Sequence, residues 1–369
     1  MDFALSETQE ELEGLARQIL EDRMTLTNLK ERDRSADWYD RETWGEFAKA
    51  NLLGIPFAEA AGGLGLGFLD LCFVLREIGR NVAPLPAIPA LVSAGMAIAR
   101  FGTDAQRAVL SKLVSGDVLL TAALIELGND PLTPATTAAR TEDGWRITGT
   151  KSNVPAMHVA ESVLVPATTA EGTEVFVVPA AAVTATRQQT MNDEPLFEVR
   201  LDGVEVGDDA RLGASGRGNE VLAWTLNRTT VAMCAVVAGV AERAVRMTAQ
   251  YTCDRKQFDR AIGTFQAVGQ RMADCFIDMQ AIELTMLQAA THLDEGRDDP
   301  VEIATAKFWA ADGGNRIAHA ALHVHGGISI DLDYPIHRYF LWLKQYEFAL
   351  GGATPQLLRI GTVLADEPV

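Results

Sequence analysis

Apolar residues first recur at helical spacing at Leu12, Leu15, Ala16, Ile19 and Leu20. Ser6, with Gln9 three positions on, forms a capping box that predicts where that helix starts. A second helix is predicted around Trp44 to Leu52, ending in the glycine-rich stretch Glu59-Ala60-Ala61-Gly62-Gly63-Leu64-Gly65-Leu66-Gly67. Phe68 to Ile78 and Ala87 to Phe101 continue the helical pattern. Near residue 119 the period shortens to two. Trp145 to Gly149, Ser162 to Val165, Glu174 to Val178, Phe197 to Leu201 and Val204 to Val206 all alternate. Turn signals stand at Glu142-Asp143-Gly144 and Glu171-Gly172, and Asp202-Gly203 predicts a hairpin between the last two strands. After the Gly213-to-Gly218 loop the helical period returns, over Glu220–Thr252, Gln266–Leu293, Glu302–His325 and near Ile336–Leu350. The predicted class is α+β, mostly α. A helical domain over 1–118 is followed by a β-barrel or sandwich over 119–214 and a four-helix bundle over 215–369.

Composition narrows the function more than the fold. The chain has 369 residues, 48% hydrophobic and 22% charged, which excludes a disordered tail, a collagen-like fibre and a coiled-coil rod. Fifty acids against 32 bases give a net charge of −18, which argues against nucleic acid as a partner. An anionic ligand must therefore meet a local cluster of arginines or helix N-termini. Cys72, Cys234, Cys253 and Cys275 form no Cys-x-x-Cys pair and sit in apolar or helix-like stretches, the usage of a reducing cytosol. Met1-Asp2-Phe3 leads into an acidic segment without a basic n-region, and the apolar run Val231 to Ala241 is too short to span a bilayer. A cytoplasmic protein with no membrane partner is expected.

Some candidate chemistry reduces to plainer readings. The glycine-rich loop lacks the Lys-Ser/Thr of a P-loop and follows no strand, so a tight connection between helices is the better reading. His323, His325 and His337 lack the spacing and the fourth ligand of a metal site, and none is expected. Trp145 reads as a cover for the β-domain core, and the apolar positions of Met272 to Leu287 read as core or helix interface.

Three segments together resemble the FAD-dependent acyl-CoA dehydrogenase family. Asp254-Arg255-Lys256-Gln257-Phe258-Asp259-Arg260, followed by Ile262 and Phe265-Gln266, is similar to that family's Arg-x-x-Phe-Gly…Ile…Phe-Gln segment, with Asp259 in place of glycine. Leu322-His323-Val324-His325-Gly326-Gly327-Ile328 is similar to its Gln-x-x-Gly-Gly-x-Gly segment. Asp143 through Lys151 resembles its middle-domain strand and turn, and the Gly62-to-Gly65 loop and the helix–β–helix order match as well. The resemblance implies oxidation of an acyl-CoA to its α,β-enoyl-CoA, a glutamate taking the α-proton while a hydride passes to FAD. It also implies an FAD shared across a subunit interface. Arg255 would pair with the pyrophosphate, Phe258 would pack beside it, and Phe265, Gln266, His323 and Val324 would complete the nucleotide-facing set. Gly326 and Gly327 would admit close backbone approach. The plain alternative for Arg255 is a solvated residue or an ion-pair partner of an acid on its own helix, and for His323 a plain interface histidine.

Other family features are altered. Where the family has Thr-Glu-Pro…Gly-Ser-Asp this chain has Ile125-Glu126-Leu127-Gly128-Asn129-Asp130-Pro131, and Ser152-Asn153-Val154-Pro155-Ala156 replaces a Trp-Ile-Thr-Asn stretch. The glutamate of the family's Tyr-Glu-Gly-Thr segment is missing near Gly351, where Leu350-Gly351-Gly352-Ala353 stands. Lys256 occupies the other position at which some members carry the base, and Glu347 is the nearest acid. The chain thus resembles the base-less subunits of actinobacterial α2β2 dehydrogenases that act on steroid side-chain CoA thioesters. The implied partners are a homologous catalytic subunit, an acyl-CoA substrate and an acceptor such as an electron-transfer flavoprotein. A self-sufficient homotetramer using Glu347, and a non-enzymatic scaffold or acyl-CoA-binding partner, are the alternatives.

Overall fold

Ser6 opens the first helix as the capping box predicts. Its hydroxyl accepts the Gln9 N–H, the Gln9 side chain takes the Ser6 N–H, and α1 (Glu7–Arg23) buries Leu12, Ala16 and Leu20. The computed structural model describes residues 5–33, 35 and 37–366. Next come α2 (Leu26–Asp33), α3 (Arg41–Lys49) and α4 (Phe68–Arg80). Between α3 and α4 the glycine-rich segment is the tight connection expected of it. The N–H groups of Gly63, Leu64, Gly65 and Leu66 all donate to carbonyls of residues 54–58, and a Cβ on Gly63 would lie 2.1 Å from the Phe57 oxygen. Those donors are spent within the chain and leave no phosphate cradle. The predicted helix over Ala87–Phe101 is more irregular than its periodicity indicates. Ile88–Met96 is π-helical and runs into α5 (Ala97–Phe101), followed by short α6 (Asp104–Arg107) and α7 (Leu110–Val114).

The middle of the chain is one curled sheet of seven strands: β1 (Leu120–Ala122), β2 (Thr137–Arg140), β3 (Gly144–Pro155), β4 (Ser162–Thr169), β5 (Gly172–Pro179), β6 (Thr184–Gln188) and β7 (Leu196–Gly207). The order is β1-β4-β2-β3-β7-β6, with β5 paired to β4. Inward residues of both long strands, among them Trp145, Ile147, Phe197, Val199 and Leu201, close over Phe176 and Val178. The hairpin predicted at Asp202-Gly203 does not form. Ile147 pairs with Val204 and Gly149 with Leu201, so β7 carries one extra residue there, and Gly203 takes φ +68°. A bulge, not a turn, lets the alternation change phase without ending the strand.

The helical tail consists of α8 (Gly218–Asp254), a small hairpin of β8 (Lys256–Gln257) and β9 (Arg260–Ala261), α9 (Gln266–Asp294), α10 (Pro300–His325) and α11 (Ile336–Phe348). An additional helix, α12 (Ala353–Asp366), lies beyond the four expected. By length and composition α8 could cross a membrane, yet 78% of its most apolar window is buried, as in a core helix. Gly79 of α4 and Gly239 of α8 allow their backbones to meet: a Cβ would fall 2.0 Å from the Val236 oxygen and 1.8 Å from the Arg76 oxygen, respectively. Cys72, Cys234 and Cys275 are buried, while Cys253 is exposed. On α9, Met279, Ile282, Met286 and Leu287 are core, but Phe276, Ile277 and Leu284 face outward. By compactness, the described residues of Met1–Arg34, Phe68–Ala83 and Thr230–Val369 form one unit, and those of Ser35–Gly67 and Pro84–Thr229 the other.

Candidate functional site

Helix α8 stops at Asp254, and the chain turns sharply through β8 and β9. Phe258 and Asp259 at the tip have φ of +52° and +62°, the paired left-handed conformations of a type I′ turn. Asp tolerates that conformation better than most residues, which explains how Asp259 substitutes for glycine. Phe258 is 88% exposed and touches Phe265 edge-to-face at 6.2 Å, while the Arg260 guanidinium lies over the Phe265 ring at 4.1 Å. Gln266, the first residue of α9, is exposed. Arg255, Lys256, Arg260 and Arg271 are all exposed, and none has an acidic partner among the described residues. In a chain of net charge −18 this is a local excess of unneutralised cations.

The second predicted segment ends α10. His323 is exposed and Val324 half-buried on its last turn. Arg271 of α9 donates to His323 Nδ1 at 2.7 Å, which leaves the imidazole proton on Nε2. Gly326 has φ +63° and ψ −138°, a conformation open essentially to glycine. Gly327 has no such backbone reason. A Cβ on either glycine would meet nothing within 4 Å. The Gly326-Gly327 turn is thus exposed and free of side chains, and Arg271, a cation without an acidic partner among the described residues, reaches the adjoining His323. His325, by contrast, is buried, and His337 bonds the Tyr334 carbonyl at 2.8 Å.

The altered segments have structural roles of their own. Glu126 is buried and paired with Lys151 at 2.7 Å. It also accepts the N–H groups of Thr136 at 2.9 Å and Ala135 at 2.5 Å. Burial pushes its carboxyl up, but Lys151 and Thr136 outweigh that and hold it at about 2. Lys151 is itself only 1% exposed. The pair pins the Ile125–Thr136 loop, leaving Leu127 outside and 92% exposed. Asn153 and Ala156 bend the end of β3 with φ of +54° and +53°, and the Pro155 carbonyl accepts the Thr121 hydroxyl at 2.6 Å.

The stretch Leu350-Gly351-Gly352-Ala353 itself carries no carboxylate. Leu350 and Gly351 have φ of +55° and +95°, and the buried Gln356 amide donates to both their carbonyls. Glu347 is tied to Lys344 at 2.5 Å. Lys307, wholly buried, caps the end of α11 by donating to the Tyr346 and Glu347 carbonyls at 2.7 and 3.3 Å. Burial pushes its amine down to about 8. Sequence reasoning missed Arg271 and Lys307, and gave Lys151 and Arg260 no role of their own although both lie in the quoted segments. Their partners lie far away along the chain or on a ring, so no local spacing marks them.

Comparison with known proteins supplies the remaining step. The N-terminal domain model of acyl-CoA dehydrogenases matches residues 6–117 and the C-terminal domain model residues 216–365. The acyl-CoA dehydrogenase FadE27 of Mycobacterium tuberculosis is 41% identical over the full length of both chains. A chain of the ChsE4-ChsE5 complex from Mycobacterium tuberculosis superposes with a TM-score of 0.95 at 41% identity, over the whole of both chains. A chain of the Tcur3481-Tcur3483 steroid ACAD, in a glycine-to-alanine variant, does so with 0.93 at 42% identity, over 98% of each. Two domain models over most of the chain and a full-length relative at this identity lead to one assignment: the chain belongs to the acyl-CoA dehydrogenase family of flavoprotein oxidoreductases, whose cofactor is FAD.

Proposed function

We propose that this chain is the subunit of a cytoplasmic heterotetramer that binds the adenosine and pyrophosphate end of FAD, while a homologous sister subunit supplies the catalytic glutamate. One contrast carries the reading: the Arg255–Gln266 and His323–Gly327 segments present exposed cations and bare backbone, whereas Leu350–Ala353 offers no carboxylate. Arg255 binds the pyrophosphate with Phe258 beside it, Gln266 reaches toward the adenosine, Phe265, His323 and Val324 complete the nucleotide-facing set, and Gly326 and Gly327 let the backbone approach. When bound, FAD accepts the hydride removed from the acyl-CoA β-carbon. The likeness to a steroid ACAD supports a steroid side-chain CoA thioester as substrate. An electron-transfer flavoprotein is the proposed acceptor.

The test is expression alone and with the sister gene, followed by flavin stoichiometry and acyl-CoA turnover. One FAD per two chains is expected in an active complex, and loss of flavin from the assembled complex after Arg255→Ala. A flavin-replete, active homo-oligomer of this chain would overturn the proposal. A displaced base would have to be Glu347, whose carboxylate Lys344 already engages, so Glu347→Gln is expected to leave turnover intact. Retention of flavin after Arg255→Ala would instead favour a scaffold or acyl-CoA-binding role.

A further inference from the structure

At the base of the Arg255 hairpin and the Gly326-Gly327 turn lies a cluster of three rings, of which only His325 falls within the quoted segments. His325, the last residue of α10, is 3% exposed. The Tyr251 ring stacks on it at 4.4 Å and 25°, and the Tyr251 hydroxyl donates to the His325 carbonyl at 3.3 Å. His325 Nδ1 lies 2.8 Å from the Ala321 carbonyl, which can only accept, so Nδ1 carries the proton and Nε2 accepts from the Tyr334 hydroxyl at 3.0 Å. Burial lowers the imidazole's basicity, in keeping with this neutral form.

Each ring is anchored to one part of the site. Tyr251 lies one turn before Arg255, whose N–H donates to the Tyr251 carbonyl at 2.9 Å. His325 is the residue before Gly326, and the carbonyl that Tyr251 caps belongs to the peptide entering the Gly-Gly turn. Tyr334 closes the segment that follows, so one hydrogen bond to His325 holds residues 326–333 at both ends. The stacked pair thus ties the base of the Arg255 hairpin to the base of the Gly326-Gly327 turn.

The geometry points to Tyr251, His325 and Tyr334 as positioning residues that fix the spacing between the two turns gripping the FAD nucleotide. This inference rests on the nucleotide-site reading above. A ligand held by charge on one side and bare backbone on the other depends on that spacing, and neither turn sets it alone.

The test follows FAD release, by its fluorescence, from the complex with the sister subunit, alongside thermal unfolding of the flavin-stripped protein. Tyr251→Phe and Tyr334→Phe keep the rings and remove one hydroxyl each. Each is expected to speed release roughly 2- to 10-fold, the scale of one net hydrogen bond, with the double variant departing from the product of the two. The stripped proteins lose the same hydrogen bond and are expected to unfold slightly below the wild-type temperature, with a smaller loss of stability than the change in release reports. Unchanged release in both single variants overturns the proposal. So does faster release accompanied by an equal loss of stability in the stripped protein, which marks a purely structural role. Arg255→Ala in the same complex separates the two levels of argument. If flavin stays bound after Arg255→Ala, the nucleotide-site reading and this inference fail together. If it is lost while the tyrosine variants match wild type, only the inference fails.

Discussion

Gly327→Ala separates the needs of the fold from those of the ligand. Gly327 lies in the 3₁₀ turn Gly326–Ile330 without a positive φ, and an added Cβ meets nothing within 4 Å. Alanine is favoured over glycine in helical backbone by about 0.5–1 kcal/mol, so the flavin-free protein should be unchanged or slightly more stable. On the proposed reading, the methyl would occupy the space through which the backbone approaches bound FAD. Overpacking of this kind costs about 1–3 kcal/mol, or roughly 5- to 150-fold in affinity. Gly326→Ala is the control. With φ +63° and ψ −138° it strains the backbone by about 1–3 kcal/mol, so both stability and flavin binding should fall. The assay is FAD titration of the stripped complex together with its thermal unfolding. Wild-type affinity in Gly327→Ala would show that no ligand approaches this backbone, and the argument from Gly326-Gly327 would fall with it.

Further outcomes follow from buried or strained groups. Lys151→Met leaves the Glu126 carboxylate buried without its counter-charge, at a cost of about 3 kcal/mol, read as roughly 100-fold faster amide exchange at Ala135 and Thr136; unchanged exchange refutes it. Because Glu126 is held at about 2, its contribution is complete above the unfolded carboxyl value near ~4.3 and disappears as pH falls from there toward 2. Acid titration of wild type against Glu126→Gln measures that difference, and parallel curves would contradict it. Lys307 titrates at about 8 in the fold and near ~10.4 unfolded, so the unfolded chain binds more protons between those values and stability attributable to Lys307 rises with pH. Lys307→Met should remove that slope in denaturation curves measured from pH ~8 to ~10, and an identical slope refutes the assignment. Gly351→Glu should destabilise the chain by about 1–3 kcal/mol, since its φ is +95° and its Cβ would meet Gln356 and Pro355 at 3.1 and 3.3 Å. It should also confer no dehydrogenation on the chain alone; a stable, active variant would refute both parts.

The sequence was most informative where one local force dominates. Capping chemistry places the start of α1, and long apolar periodicity places α8 to α10 within a few residues. It failed where two structures share one pattern. The alternations on either side of Asp202-Gly203 are compatible with a hairpin or with a bulged single strand, and pairing with β3 decides between them. The π-helical turn at Ile88–Met96 keeps an apolar composition that periodicity cannot distinguish from an α-helix. The candidate segments Arg255 to Gln266 and His323 to Gly327 were readable as motifs because their positions are contiguous. Their supports were not. Arg271 reaches His323 across 52 positions and Tyr251 reaches His325 across 74.

The exposed rim of the basic turns has a consequence for the chain's life before assembly. Phe258, on the basic hairpin, and Ile330 and Leu332, after the Gly-Gly turn, stand 88, 81 and 68% exposed. Greasy surface of this kind is what chaperones and proteases survey, so on the proposed pairing a copy that has not met its mate should be short-lived, and the amount of this polypeptide that persists in a cell should track the supply of the other.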